Sequence, residues 1–185
     1  MARHSRRLPL LPILWDGWRF RLDKGEALTL EEILDRARPR TRILIDVKSL
    51  DRRFAPTLIS VIRDRGALED VHVTSVYWGV LELLRLEEAS LRLYRTVNRP
   101  RLVDTLQSLL DSDPLEAGVS IHRSLLSRDL AASLAAHGAP ILVWPVNDLE
   151  TARELLDWGV TGLISDRPEL LRALKRDASP EGESA

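Results

Sequence analysis

The sequence predicts an α/β fold of the (β/α)8 TIM-barrel type, incomplete, with about six βα units present. Three observations lead there. From residue 28 onward, short runs rich in Val and Ile alternate with helical stretches whose apolar residues fall three and four apart. The units recur at about 24 residues, a short and even spacing that suits a barrel better than a two-sided open sheet. No G-x-G-x-x-G follows any apolar run, and there is no P-loop, so the nucleotide-binding open sheets lose their sequence signature.

The strand candidates are Arg42–Val47, Val71–Val76, Leu91–Val97, Ala117–Ile121, Pro140–Val146 and Val160–Ser165. Each has strand length and β-branched composition. The first helix opens on a capping box, Thr29-Leu-Glu-Glu32, and runs to Arg38 before Pro39. A second covers Ala55–Arg65 and stops at Gly66. Trp78–Ala89 and Pro100–Ser112 follow, the latter with Pro at a helix start. Ser127 caps Arg128–His137, closed by Gly138; Asp148 caps Leu149–Trp158, closed by Gly159; Pro168–Lys175 is the last. Capped helices between buried strands mean βα units on a parallel sheet.

A closed barrel needs eight strands and usually about 250 residues. This chain has 185. Residues 1–27 read as an irregular segment in which Trp18–Leu22 alternates with period two between hairpin-like or loop-like flanks. Residues 28–176 form the partial barrel, and 177–185 a disordered tail. About two N-terminal βα units are expected to be missing. Six strands leave two sheet edges and apolar faces to cover, which predicts self-association.

Composition narrows the function. With 27 basic and 28 acidic residues, the chain lacks the basic surplus of a dedicated nucleic-acid binder. No cysteine is present, so thiol catalysis, disulfides and thiolate zinc sites are excluded. No run approaches the length of a membrane-spanning helix. Basic Met1–Arg7 followed by apolar Leu8–Leu14 resembles a signal peptide, but Pro9 and Pro12 interrupt the run and no small-residue cleavage site follows; a cytoplasmic location is expected.

In barrels of this type the chemistry sits at the C-terminal strand ends. The first strand places Leu44, Asp46 and Lys48 on one face by alternation. A carboxylate and an ammonium at the mouth suit a divalent cation and a phosphate; a structural ion pair closing the barrel end is the alternative. Only three of the 27 basic residues are lysines: Lys24, Lys48 and Lys175. A Lys at a strand end therefore stands out in a chain that otherwise uses Arg. Trp144 shares a face with Leu142 and Val146, as a core or pocket residue. His122 follows its strand within reach of the mouth, whereas His72 and His137 read as structural.

Five segments in order resemble the glycerophosphodiester phosphodiesterase family, itself similar to the phosphatidylinositol-type phospholipase C barrels. They are Leu28–Leu34 (LTLEEIL), Ile43–Lys48 (ILIDVK), Val73–Ser75 (VTS), Val143–Asn147 (VWPVN) and Gly159–Pro168 (GVTGLISDRP), within a match from about Leu28 to Leu174. The resemblance implies a hydrolase that uses Mg²⁺ or Ca²⁺ to cleave glycerophosphodiesters to glycerol 3-phosphate and an alcohol. It places Asp46 at a metal-binding carboxylate, Lys48 facing the phosphate and Trp144 in the substrate pocket.

The departures are specific. The family's His-Arg-Gly on the first strand and Glu-x-Asp on the second are missing. His4, followed by Ser5 where the family has Asp, is the candidate for the second catalytic histidine. Asp46 stands where Glu is usual, and Pro145 and Ser165 each replace a Thr. The expected outcome is an N-terminally truncated member whose hydrolysis is impaired. The alternative is a non-catalytic degenerate barrel that binds phosphodiesters or a protein partner. A third reading, another phosphate-handling barrel, lacks the Gly-rich loop expected after the last strand.

Overall fold

The computed structural model describes residues 28–37, 41–110 and 117–178, together with the backbone of two short strands near the N-terminus. These two, β1 (Trp15–Asp16) and β2 (Arg19–Phe20), pair antiparallel, with Trp15 opposite Phe20. From there the chain alternates: α1 (Leu30–Ala37), β3 (Ile43–Asp46), α2 (Phe54–Asp64), β4 (Val71–Ser75), α3 (Trp78–Glu87), β5 (Arg92–Val97), α4 (Pro100–Leu110), β6 (Gly118–His122), α5 (Arg128–Ala136), β7 (Ile141–Trp144), α6 (Leu149–Asp157), β8 (Gly162–Leu163) and α7 (Pro168–Ala178). Strands β3 to β8 form one sheet in chain order, and every neighbouring pair is parallel. A parallel sheet in unbroken sequential order, with a helix after each strand, is the barrel arrangement rather than the doubly wound one, whose strand order reverses.

The helix boundaries have local causes. At α1, Thr29 Oγ1 accepts from the Glu32 N–H (3.2 Å) and Glu32 Oε2 accepts from the Thr29 N–H (2.7 Å), the reciprocal capping box the sequence predicts. Ser127 Oγ accepts from the Leu130 N–H at α5, and Asp148 Oδ1 from the Thr151 N–H at α6. Gly138 and Gly159, at φ +69° and +84°, follow α5 and α6 in the left-handed conformation that an L side chain resists.

The two faces of the sheet have different roles. Ile43, Ile45 and Val47, with Val71, Val73 and Leu93, pack on α1, α2 and α3 around Leu34, Leu58 and Ile62. Val97, Val119, Ile121, Ile141 and Val143 pack on the later helices around Leu106, Leu134 and Leu155. The opposite face looks toward the barrel axis. Its rows follow the register: Leu44 beside His72, Asp46 beside Thr74, Tyr94 beside Gly118, His122 beside Trp144, Leu142 beside Gly162.

This inward face is partly polar. Thr74 and Thr96 share a buried hydrogen bond of 2.6 Å between hydroxyls. Lower down, the Tyr94 ring stacks on His72 with centroids 5.6 Å apart and covers Gly118. A Cβ on Gly118 would stand 2.5 Å from the Tyr94 ring and 2.9 Å from the Pro140 carbonyl oxygen. Glycine is therefore needed there for close approach, not for its torsions. At the two flanks of the sheet, Leu44 (38%) and Ile164 (36%) are exposed.

Two details differ from the pattern in the sequence. The last strand is shorter than Val160–Ser165, yet Thr161 and Ile164 still donate to the Ile141 and Val143 carbonyls, so the ladder frays rather than stops. Val146 does not stay on the face of Trp144. Strand β7 ends at Trp144, Pro145 has no N–H to continue it, and Val146 is buried among the helix-side residues, its N–H donating to the Ile164 carbonyl. Among the described residues, no helix is long and apolar enough to cross a membrane.

Candidate functional site

The C-terminal strand ends form one rim. At its first described strand, Ile43, Ile45 and Val47 turn to the helices, which sends Asp46 and Lys48 to the inward side. Lys48 Nζ lies 2.7 Å from Asp46 Oδ2, with the two side chains 56% and 47% exposed. The backbone beneath the pair is tied down: Val47 donates to the Thr74 carbonyl (2.8 Å), and its own carbonyl accepts from the Ser75 hydroxyl (2.7 Å). Ser75 Oγ also accepts from the Tyr77 N–H, so one buried hydroxyl fixes the ends of both β3 and β4.

Across the sheet, His122 and Trp144 are register partners at the ends of β6 and β7. Both are half-buried, and their rings meet edge to face with centroids 5.1 Å apart. The His122 Nδ1 accepts from the Ser124 N–H (3.3 Å), and the Ser124 hydroxyl is 2.8 Å away. Next along the rim, Asn147 Oδ1 accepts from the Ser165 hydroxyl (3.0 Å) and the Asp166 N–H (3.1 Å), joining the ends of β7 and β8. Ser165 Oγ in turn accepts from the Arg167 N–H at the entry to α7. A cleft of about 320 Å³ beside this link is lined by Asn147, Asp148, Leu149, Arg167, Glu169, Leu170 and Ala173.

A family model described as the glycerophosphoryl diester phosphodiesterase family matches residues 15–170. The chain belongs to this family. Solved glycerophosphodiester phosphodiesterases share its fold. One from Parabacteroides distasonis superposes with TM-score 0.66 at 20% identity, covering 82% of this chain and 65% of that one. One from Thermotoga maritima gives 0.61 at 19%, covering 80% and 63%. A phosphodiesterase from Oleispira antarctica, solved with its product sn-glycerol 3-phosphate, gives 0.65 at 18%, covering 80% and 61%. The chain thus spans less than two thirds of each of these three. No curated protein sequence matches it significantly.

Within the family frame, Asp46, Lys48 and Trp144 all lie on the inward side of the strand-end rim. Lys48 and Asp46 touch at the end of β3; Trp144 and His122 stand together at the ends of β7 and β6, four and three strands away in sheet order. His4 lies outside the described residues. His137 ends α5, its Nδ1 donating to the Ser133 carbonyl (2.8 Å) far from the rim. His72 sits at the opposite, N-terminal end of the sheet. Burial, then the nearby Arg92 and Arg42 cations, hold its pKa below the usual imidazole value.

Among the described residues the donor set does not fit a divalent cation. Mg²⁺ and Ca²⁺ take six or more oxygen ligands. Among the described residues no group of three or more His, Asp or Glu side chains could hold a metal ion. Among these residues Asp46 belongs to no such group, and one of its oxygens already lies on the Lys48 ammonium. Sequence reasoning also missed three fixing side chains: Ser75, Ser124 and Asn147. Their hydroxyl and amide chemistry is visible in the sequence, but their partners lie on other strands or in a turn.

Proposed function

We propose that the chain carries the substrate side of a glycerophosphodiester phosphodiesterase, with hydrolysis by these 185 residues alone strongly slowed. Lys48 holds a phosphoryl oxygen, Trp144 lines the pocket for the organic part of the diester, and Asp46 occupies the metal-ligand position. The observation that carries this reading is the Lys48 ammonium held 2.7 Å from Asp46 at an inward strand end of a family barrel. Phosphodiester hydrolysis needs its developing phosphoryl charge stabilised, a base for the attacking water and an acid for the leaving alcohol. Lys48 answers the first need. His4 is the candidate for one proton transfer. Each proton transfer left without a placed group costs about 10²–10⁴ in rate.

A second reading, a phosphodiester-binding barrel without turnover, is favoured by the lack of a group of three or more metal-ligating side chains among the described residues. The same proposal includes a cytoplasmic location, no nucleic-acid partner and self-association across the open sheet flanks at Leu44 and Ile164. The deciding assay measures Mg²⁺- or Ca²⁺-dependent release of glycerol 3-phosphate from glycerophosphocholine. The expected result is trace turnover, abolished by Asp46→Ala and by Lys48→Ala. Robust turnover removes the impairment; unchanged rates in both variants remove the site assignment. Binding without any turnover selects the second reading.

A further inference from the structure

We propose that His122 is a ligand-binding residue of this rim, presenting a fixed Nε2–H donor to a phosphate-ester oxygen; the inference rests on the phosphodiester reading above. The placement comes first. Val119 and Ile121 are buried among the helix-side residues, so alternation along β6 turns Gly118, Ser120 and His122 inward. His122 is the last residue of its strand, which puts it on the rim beside Trp144.

The protonation pattern follows from its contacts. A backbone N–H can only donate, so the Ser124 N–H at 3.3 Å requires a lone pair on Nδ1, and the Ser124 hydroxyl at 2.8 Å can then donate to the same atom. The neutral ring therefore carries its proton on Nε2. Nδ1 is turned toward the turn after β6, which leaves Nε2 on the far side of the ring. There it makes no hydrogen bond to any described residue. Trp144, edge to face at 5.1 Å, limits rotation about the side-chain bonds.

A donor held in one tautomer and one orientation is what a ligand oxygen needs for binding without reorganisation. The ligand class follows from the rest of the rim. Lys48 supplies a cation, Trp144 an apolar wall and His122 a neutral donor, the complement of a phosphate ester bearing a small organic group.

Two measurements on the 185-residue chain test this. Long-range ¹H–¹⁵N spectra of the ligand-free protein should show His122 protonated at Nε2 near pH 7.5. Calorimetric titration with sn-glycerol 3-phosphate should give an affinity that falls about tenfold or more in His122→Phe. In His122→Gln, whose amide can donate from near the Nε2 position, much of it should return. Ser124→Ala, which removes the hydroxyl but leaves the backbone N–H on Nδ1, should hold the ring less firmly and lose affinity to a smaller extent. Melting curves confirm that each variant is folded; if His122→Phe is not, the Gln and Ser124 variants decide. Equal affinity in wild type and the variants, or a proton on Nδ1, overturns the role of His122 and leaves the phosphodiester reading standing. Failure of the wild type to bind glycerol 3-phosphate overturns both.

Discussion

Replacing Asp46 by Asn should strengthen phosphate-ester binding when no divalent metal is present. In the structure the Asp46 carboxylate occupies the Lys48 ammonium at 2.7 Å. An incoming phosphate must displace it and then sit beside it. A phosphate seated on Nζ would place its charge about 5 Å from the carboxylate, and two unit charges at that distance interact by about 0.8 kcal/mol in a water-like medium. A dianion about doubles this, and salt brings the penalty back to about 1 kcal/mol. Asn removes it, so affinity for glycerol 3-phosphate should rise about fivefold. Because both side chains are about half exposed, loss of the pair should alter stability by less than about 1 kcal/mol. Titration calorimetry in EDTA, with a melting curve for each protein, reads the effect. Weaker binding by a normally folded Asp46→Asn would refute the reasoning, because the carboxylate would then be assisting the anion.

Other outcomes follow from the inward face. Gly118→Ala should destabilise the fold by about 1–3 kcal/mol, because the new methyl meets the Tyr94 ring at 2.5 Å and the Pro140 carbonyl at 2.9 Å; urea melts measure this. His72 should make the fold acid-sensitive. Its pKa is held down by burial and by Arg92 and Arg42, so the unfolded chain binds a proton more readily than the native one. The stabilisation is complete above the ordinary imidazole pKa of about 6.5 and is lost as pH falls through it toward the lower native value. His72→Phe, which keeps a ring against Tyr94, should flatten the pH dependence of the melting temperature over this window; an unchanged slope would remove the assignment.

Much of this architecture was legible because its determinants are local. The Thr29–Glu32 box, the Ser127 and Asp148 caps and the glycines after α5 and α6 act within a few residues of themselves, and the structure shows each acting as read. The inward position of Asp46 and Lys48 was legible for the same reason, since alternation along β3 needs no knowledge of its neighbours. Alternation failed at Val146, where Pro145 ends the strand. The rim's fastening was not legible. Ser75 reaches the Val47 carbonyl and Asn147 reaches Ser165 and Asp166, partners 18 to 28 residues away whose proximity depends on strand stagger. His122 was readable as a rim candidate; its locked tautomer depends on a turn geometry that composition does not encode.

The stack of His72 on Tyr94, with the ring seated over Gly118, fills the N-terminal end of the inward face using two side chains from adjacent strands, β4 and β5, laid over a glycine of the next, β6. A floor assembled this way is indifferent to whether the ring of strands closes. It follows that the opposite end of the molecule can be rebuilt, grafted or complemented by separate βα units supplied in trans without first re-engineering the base on which they would stand.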